Sequence, residues 1–255
     1  MTLNPTIAIG QRDLTTDVKS PLPRRANRAG PEFFAKNSVT QLREWPREAL
    51  SELGPLPFPM RYDQAHDRYN ATEWSGSTAD IGRTLAEADE VIVIGNQRFA
   101  DQLQTLQIVL ANALHCPVEL LQCWDDRSPG HVRSSSPDSP PLSETGSMRV
   151  IVTLGRTPTP HALGFDAASL LVCITDEVIP PIFDVSKDAV VLPVSSGGWK
   201  LSHIAFHRLL DIETEQAASY QYGRMYEDKL LMARPLCSIL ALVLRAVRHH
   251  NDRPG

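Results

Sequence analysis

The sequence predicts a three-layer α/β fold, with a mostly parallel five-stranded sheet flanked by helices from about residue 78 to the C-terminus. Three observations lead there. Short apolar runs recur, beginning with the β-branched Val91-Ile92-Val93-Ile94, and lack the polar alternation of a strand with one wet face. Between the first two runs, Phe99, Leu103, Leu106, Leu110 and Leu114 fall at helical spacing. Short links join these pieces into a strand–helix–strand unit, which almost always closes with a right-handed crossover.

Taken in order, residues 1–37 carry Pro5, Pro21, Pro23 and Pro31 among polar residues without a sustained period, and are read as a flexible arm. A single α/β domain then covers 38–255. Ser38-x-x-Gln41 is a capping box, and Val39, Leu42, Leu50 and Leu53 supply the apolar face of the helix that follows. Pro46 should split this helix and Gly54 should end it. Residues 55–76 read as a connection. Ser77-x-x-Asp80 is expected to cap a short helix with Ile81, Leu85 and Ala88 on one face.

The first strand is followed by the turn Gly95-Asn96-Gln97-Arg98, a helix from Phe99 to Leu114, and a strand from Pro117 to Cys123. Residues 125–148 hold seven serines and four prolines, too few packing side chains for a core element, and are read as an exposed loop. Three further strands are expected at Val150–Leu154, Leu170–Ile174 and Ala189–Val194. Helices from about Leu201 to Ala218 and from about Tyr226 to His249 complete the chain. The last is apolar nearly all round between Leu236 and Val247, so it is central to the core or half of a subunit interface, and a homodimer that buries it is expected.

Bulk properties exclude several classes. A net charge of −5 argues against nucleic acid as partner, because phosphate neutralisation needs a clustered basic surface. Arg24, Arg25 and Arg28 form one basic cluster, read as part of a solvated tail. The opening MTLNPTIAIGQRD lacks a basic start and a long apolar run, so no secretory leader is expected. The stretch from Leu236 to Val247 contains Arg245 and falls short of the ~20 apolar residues of a membrane span. Cys116, Cys123, Cys173 and Cys237 have no CxxC spacing, and are read as free thiols in a reducing, cytoplasmic setting.

In open parallel sheets, ligands lie beyond the carboxyl ends of the strands. Candidate ligand-binding residues gather there: Gly95, Asn96, Gln97 and Arg98 after the first strand, then Gly155, Arg156, Thr157 and Thr159 after the third. Ser195, Ser196, Gly197 and Lys200 follow the fifth. Small residues let backbone approach a ligand, hydroxyls and amides donate to phosphate oxygens, and Arg98, Arg156 and Lys200 supply positive charge. Any parallel α/β protein needs small polar residues at such turns, so no single loop decides the matter. His161, beyond the third strand, is a candidate acid–base group. Asp176 and Glu177 follow the fourth strand, placed to orient a sugar hydroxyl, act as a base or cap the next segment; Glu177 is the second catalytic candidate. His203, His207 and Asp211 share a helix face at a spacing a metal tolerates, but read better as an exposed polar face. No metal and no cofactor is expected, and G-x-x-x-x-G-K-[ST] is absent.

These loops resemble those of the sugar-isomerase (SIS) family. The matching pieces are Val150-Ile151-Val152-Thr153-Leu154 before Gly155-Arg156-Thr157-Pro158, then Ile174-Thr175-Asp176, then Val190-Val191-Leu192-Pro193-Val194 before Ser195-Ser196-Gly197-Gly198 and Lys200. The helix Gln41-Leu42-Arg43-Glu44-Trp45-Pro46-Arg47-Glu48-Ala49-Leu50 is similar to the family's helical preface. The resemblance covers about residues 39 to 215 and implies a SIS-like or flavodoxin-like sheet with a phosphosugar site. This chain departs from the family at Asn96-Gln97-Arg98-Phe99, where glycine and serine are usual. It departs again at Leu154, in place of a phosphate-binding serine, and in lacking a glutamate between Ser195 and Lys200. The expectation is therefore a binder of an anionic small molecule, a sugar phosphate or nucleotide, with a remodelled site and possible isomerase-like activity. The alternative is a non-catalytic interaction or assembly protein that keeps the fold and has lost the site.

Overall fold

The computed structural model describes residues 29–123, 132–134, 148–155, 157, 169–178, 180–183, 188–195, 197–199 and 233–252. Within them lie β1 (Met60–Asp63), β2 (Arg68–Ala71), β3 (Glu90–Asn96), β4 (Val118–Cys123), β5 (Val132–Ser134), β6 (Arg149–Leu154), β7 (Leu170–Thr175) and β8 (Ala189–Pro193). They form one sheet in the order β2-β1-β8-β7-β6-β3-β4-β5. The five expected strands are β3, β4, β6, β7 and β8, and all pair in parallel. The sheet is larger than the five strands expected, because β1 and β2 add an antiparallel hairpin beside β8 and β5 pairs antiparallel with β4.

Both faces of the parallel strands are covered, which explains the mostly apolar runs of β3, β6, β7 and β8. Val91, Val93, Val152, Ile174 and Leu192 point to one face, under helices α4 (Trp74–Ala86), α5 (Ala100–Ala113) and α6 (Leu236–Asn251). Ile92, Ile94, Ile151, Cys173 and Val191 point to the other, against α1 (Pro31–Lys36), α2 (Val39–Arg43), α3 (Arg47–Ser51) and the hairpin. Each fully buried aliphatic side chain contributes ~1.5–3 kcal/mol, so the two cores together hold three layers.

The capping box forms as expected: Ser38 Oγ accepts from Gln41 N, and Gln41 Oε1 accepts from Ser38 N. Pro46 separates α2 from α3, and Gly54 takes φ +84° after them. Other expectations need correction. The arm does not extend to residue 37, since Pro31–Lys36 is helical and Ala29 and Phe34 are buried; residues 1–28 lie outside the described residues. Residues 55–76 are more than a connection, because they contain β1 and β2. Ser77 does not cap α4, which begins at Trp74 instead; its hydroxyl is buried 2.6 Å from Thr72 Oγ1. The loop at 125–148 contributes β5, and most of its remaining residues lie outside the described residues.

The last helix does not run from Tyr226. Arg234 bridges to Val194 in strand geometry and Pro235 is the N-cap of α6, consistent with the bias of a residue before proline away from helix. Its apolar face is covered within the chain by α4 and α5, so the pattern does not by itself require a second copy. The expected helix at 201–218 lies outside the described residues.

Polar contacts lock the hairpin. Arg61 Nη2 donates to Asp188 Oδ2 at 2.6 Å, Nε donates to Oδ1 at 3.3 Å, and Nη1 pairs with Asp80 of α4. The buried Tyr69 hydroxyl donates to the Ile182 carbonyl, and burial pushes its phenol well above the usual value. At the hairpin tip, Asp67 Oδ2 accepts from Thr40 N at 3.1 Å and Oδ1 from Tyr62 Oη at 3.0 Å. Desolvation works to raise the Asp67 carboxyl, but hydrogen bonds from Thr40, Tyr62 and Ser38 outweigh it and hold it below its ordinary value. A depressed carboxyl contributes stability that is whole above the unfolded value of ~3.9 and is lost as pH falls through the lower folded value. Asp67→Asn should therefore flatten the fall in stability below about pH 4, as read by urea unfolding at pH 5 and pH 3. An unchanged difference between the two would contradict this role.

Thr153 Oγ1 on β6 is fully buried and has no hydrogen-bond partner among the described residues. An unpaired buried polar group costs ~1–3 kcal/mol, so Thr153→Val should raise unfolding free energy by about 1 kcal/mol. A loss of stability in chemical denaturation would mean that the hydroxyl is satisfied.

Candidate functional site

Numbered along the chain, the parallel strands lie in spatial order 2-1-3-4-5, since β3 has β4 on one side and β6, β7 and β8 in succession on the other. The order reverses between β3 and β6, where crevices form beyond the carboxyl ends. An open cleft of about 540 Å³ lies at that end, lined among the described residues by Arg98, Phe99, Asp176, Glu177 and Trp199. Its volume falls within the ~300–1,000 Å³ usual for small-molecule sites.

The segment after β3 supplies the first wall. Asn96 Oδ1 accepts from Arg98 N at 3.0 Å and caps a 3-10 turn over Gln97–Phe99. This turn leaves Arg98 exposed and sends Phe99 inward, with the Arg98 guanidinium carbon 4.5 Å from the Phe99 ring centroid. Phe99 lies beneath Gly155, which takes φ +63°; a Cβ there would come within 2.5 Å of Phe99 Cε2. Glycine is needed twice at this position, for its left-handed backbone and for the missing side chain.

The segment after β8 supplies the second wall. Gly197 (φ +75°) turns the chain, Gly198 N donates to Ser195 O at 2.7 Å, and Trp199 is carried back over the strand ends. Its ring stacks on Phe99 with centroids 4.6 Å apart and an interplanar angle of 30°. Trp199 Nε1 donates to Asp176 Oδ2 at 3.2 Å, and Gln102 Nε2 donates to the Trp199 carbonyl at 3.4 Å. Asp176 is fixed in turn, since its carbonyl accepts from Leu56 N at 3.2 Å. The neighbouring Glu177 N donates to Thr175 Oγ1 at 3.2 Å.

Of the expected residues, the structure brings Arg98 and Glu177 together in the cleft. Gly95 serves packing: a Cβ there would meet Leu103 Cδ2 at 2.4 Å. Asn96 shapes the turn, Gln97 and Gly197 are exposed, and Ser195 is tied by its N–H to the Arg234 carbonyl at 2.9 Å. Thr157 is buried, and its hydroxyl, like that of Thr153, has no partner among the described residues. Arg156, Thr159, His161, Ser196 and Lys200, with His203, His207 and Asp211, lie outside the described residues.

Sequence reasoning assigns Phe99 to the helix core and leaves Trp199 without a role. An aromatic residue directly after two strand-end turns was the signal available for both. No cluster of three or more His, Cys, Asp or Glu that would hold a metal occurs among the described residues. Burial pushes the Cys116 and Cys237 thiols up, away from reactive thiolates. No described helix is long and apolar enough to cross a membrane. No protein-family model, curated protein or solved structure matches this chain.

Proposed function

We propose that the chain binds an anionic small molecule, a sugar phosphate or nucleotide, in the cleft at the carboxyl ends of the parallel strands. The observation that carries this reading is the convergence of Arg98, Asp176, Glu177 and the Phe99–Trp199 pair on one open cleft beyond the carboxyl ends of β3, β7 and β8. A guanidinium offers a planar fork to phosphate or carboxylate oxygens, and carboxylates accept from sugar hydroxyls. The 2-1-3-4-5 order also supports a flavodoxin-like or SIS-like arrangement. Glu177, which lines the cleft, is the candidate base for sugar-phosphate isomerisation, while the arrangement as a whole speaks more directly for binding than for turnover.

A thermal-shift screen against sugar phosphates, nucleotides and simple anions tests this. A ligand at 100 times its Kd should stabilise the fold by ~2.7 kcal/mol, a rise of roughly 5–10 °C for a chain of this size. Arg98→Ala should remove most of that rise while leaving the unliganded midpoint within about 2 °C, because the Arg98 side chain is exposed. A flat screen would sink the reading and favour the interaction-protein alternative, to be pursued by pull-down.

A further inference from the structure

Resting on the assignment of the cleft as a ligand site, we propose that its ligand is a mononucleotide whose base lies against Trp199. The cleft contains a flat wall rather than a set of separate side chains. Arg98 and Trp199 both pack on Phe99, at 4.5 Å from guanidinium to ring and 4.6 Å from ring to ring. The rings are held from two different parts of the fold. The turn after β3 carries Arg98 and Phe99, the missing side chain of Gly155 makes room for Phe99, and Asp176 fixes the tilt of the indole through its N–H.

Trp199 is half-buried, with Phe99 stacked on its ring and the ring itself lining the cleft. A tryptophan immobilised in advance has already met much of the ordering cost of binding. Such a surface pairs best with a planar aromatic group, where offset stacking is favourable. A base offers that flat aromatic face; a sugar phosphate does not. The remaining groups suit the rest of a nucleotide. Asp176 and Glu177 are acceptors for ribose hydroxyls, the role acidic residues take beside the strand ends of dinucleotide sites, and Arg98 is the cation for the phosphate.

Ribose 5-phosphate is the discriminating probe, since it carries the same sugar and phosphate without a base. By isothermal titration at fixed ionic strength, at least one of AMP, GMP, CMP and UMP should bind ≥ about 10-fold tighter than ribose 5-phosphate, the scale of base–aromatic stacking. That nucleotide should also quench tryptophan fluorescence, and Trp199→Phe should lose the quench while keeping a flat ring and most of the preference. Trp199→Ala should bring the preference close to one while ribose 5-phosphate affinity stays within about 3-fold; Trp199→Leu, apolar but not flat, replaces it if the alanine variant does not fold. Ribose 5-phosphate binding as tightly as every mononucleotide, or a preference that survives loss of the indole in a folded variant, would overturn the inference and leave the cleft as a ligand site. Absence of binding by all five probes and by the wider anion screen would overturn the site assignment itself.

Discussion

Gly82→Val should destabilise the fold by about 3 kcal/mol, lowering the thermal midpoint by roughly 6–12 °C. Gly82 sits in the middle of α4 at its closest approach to α6. A Cβ there would lie 2.4 Å from Ala246 Cβ, 2.8 Å from the Ala246 carbonyl carbon and 2.9 Å from Val247 N. Two of those atoms are backbone, so no rotamer change relieves the clash and the helices must separate. Separation would loosen the packing of Ile81 and Leu85 with Val243 and Val247 across the core. Gly76 on the same helix provides the control, since a Cβ there meets nothing within 4 Å. Gly76→Ala should be neutral or stabilising by up to ~1 kcal/mol, as helix propensity alone dictates. If Gly82→Val and Gly76→Ala gave equal midpoints in calorimetry, the close α4–α6 contact would be wrong.

Gly155→Ala should cost about 3 kcal/mol and disturb the cleft in the same step. The left-handed backbone at φ +63° costs a non-glycine residue ~1–2 kcal/mol. The added methyl must also displace Phe99, whose ring is only 6% exposed and has little space to retreat. Because Phe99 stacks on Trp199, near-ultraviolet circular dichroism should change beyond what the stability loss explains. Phe99→Leu in the same chain should recover about 1 kcal/mol of the combined cost, a coupling expected of residues in contact. Strictly additive losses would show that the two residues do not touch.

Most of the parallel core was legible because it follows one rule. Strands covered on both faces call for apolar residues at nearly every position; Val91–Ile94 and Val190–Val194 meet that condition without interruption, and Val150–Leu154 with Thr153 as its one polar residue. Ser38 and Gln41 were equally readable, since a capping box is local chemistry between residues three apart. The hairpin was not, because its strands are four residues each and β2 buries only Tyr69. Its turn closes on Asp67 at φ +51°, where glycine or asparagine gives a clearer signal. The start of α4 misled for a related reason: Ser77 looks like a cap, while Glu73, the N-cap in fact, makes no side-chain cap bond.

The cleft was legible in place but not in its walls. Strand-end loops pointed to the end of the sheet where the cleft lies, and Arg98 and Glu177 line it. Two of the glycines expected to approach a ligand have protein side chains where a Cβ would sit, Gly95 against Leu103 and Gly155 against Phe99. Glycine signals close approach without saying to what, and only tertiary contacts tell a ligand from a side chain. Phe99 and Trp199 lie one hundred positions apart, so their stacking had no local signature.

The start of α6 has a consequence for how this chain tolerates change in length. Arg234 N donates to Pro193 O at 3.1 Å, Ser195 N donates to Arg234 O at 2.9 Å, and Leu236 N donates to Gly198 O at 2.8 Å. The described residues on either side of positions 200–232 are therefore joined backbone to backbone at the end of β8. Lengthening a segment whose ends are already held together adds little closure entropy, ~0.6 kcal/mol per doubling. An engineered insertion between positions 199 and 233 should leave β8 and α6 in the same register to each other.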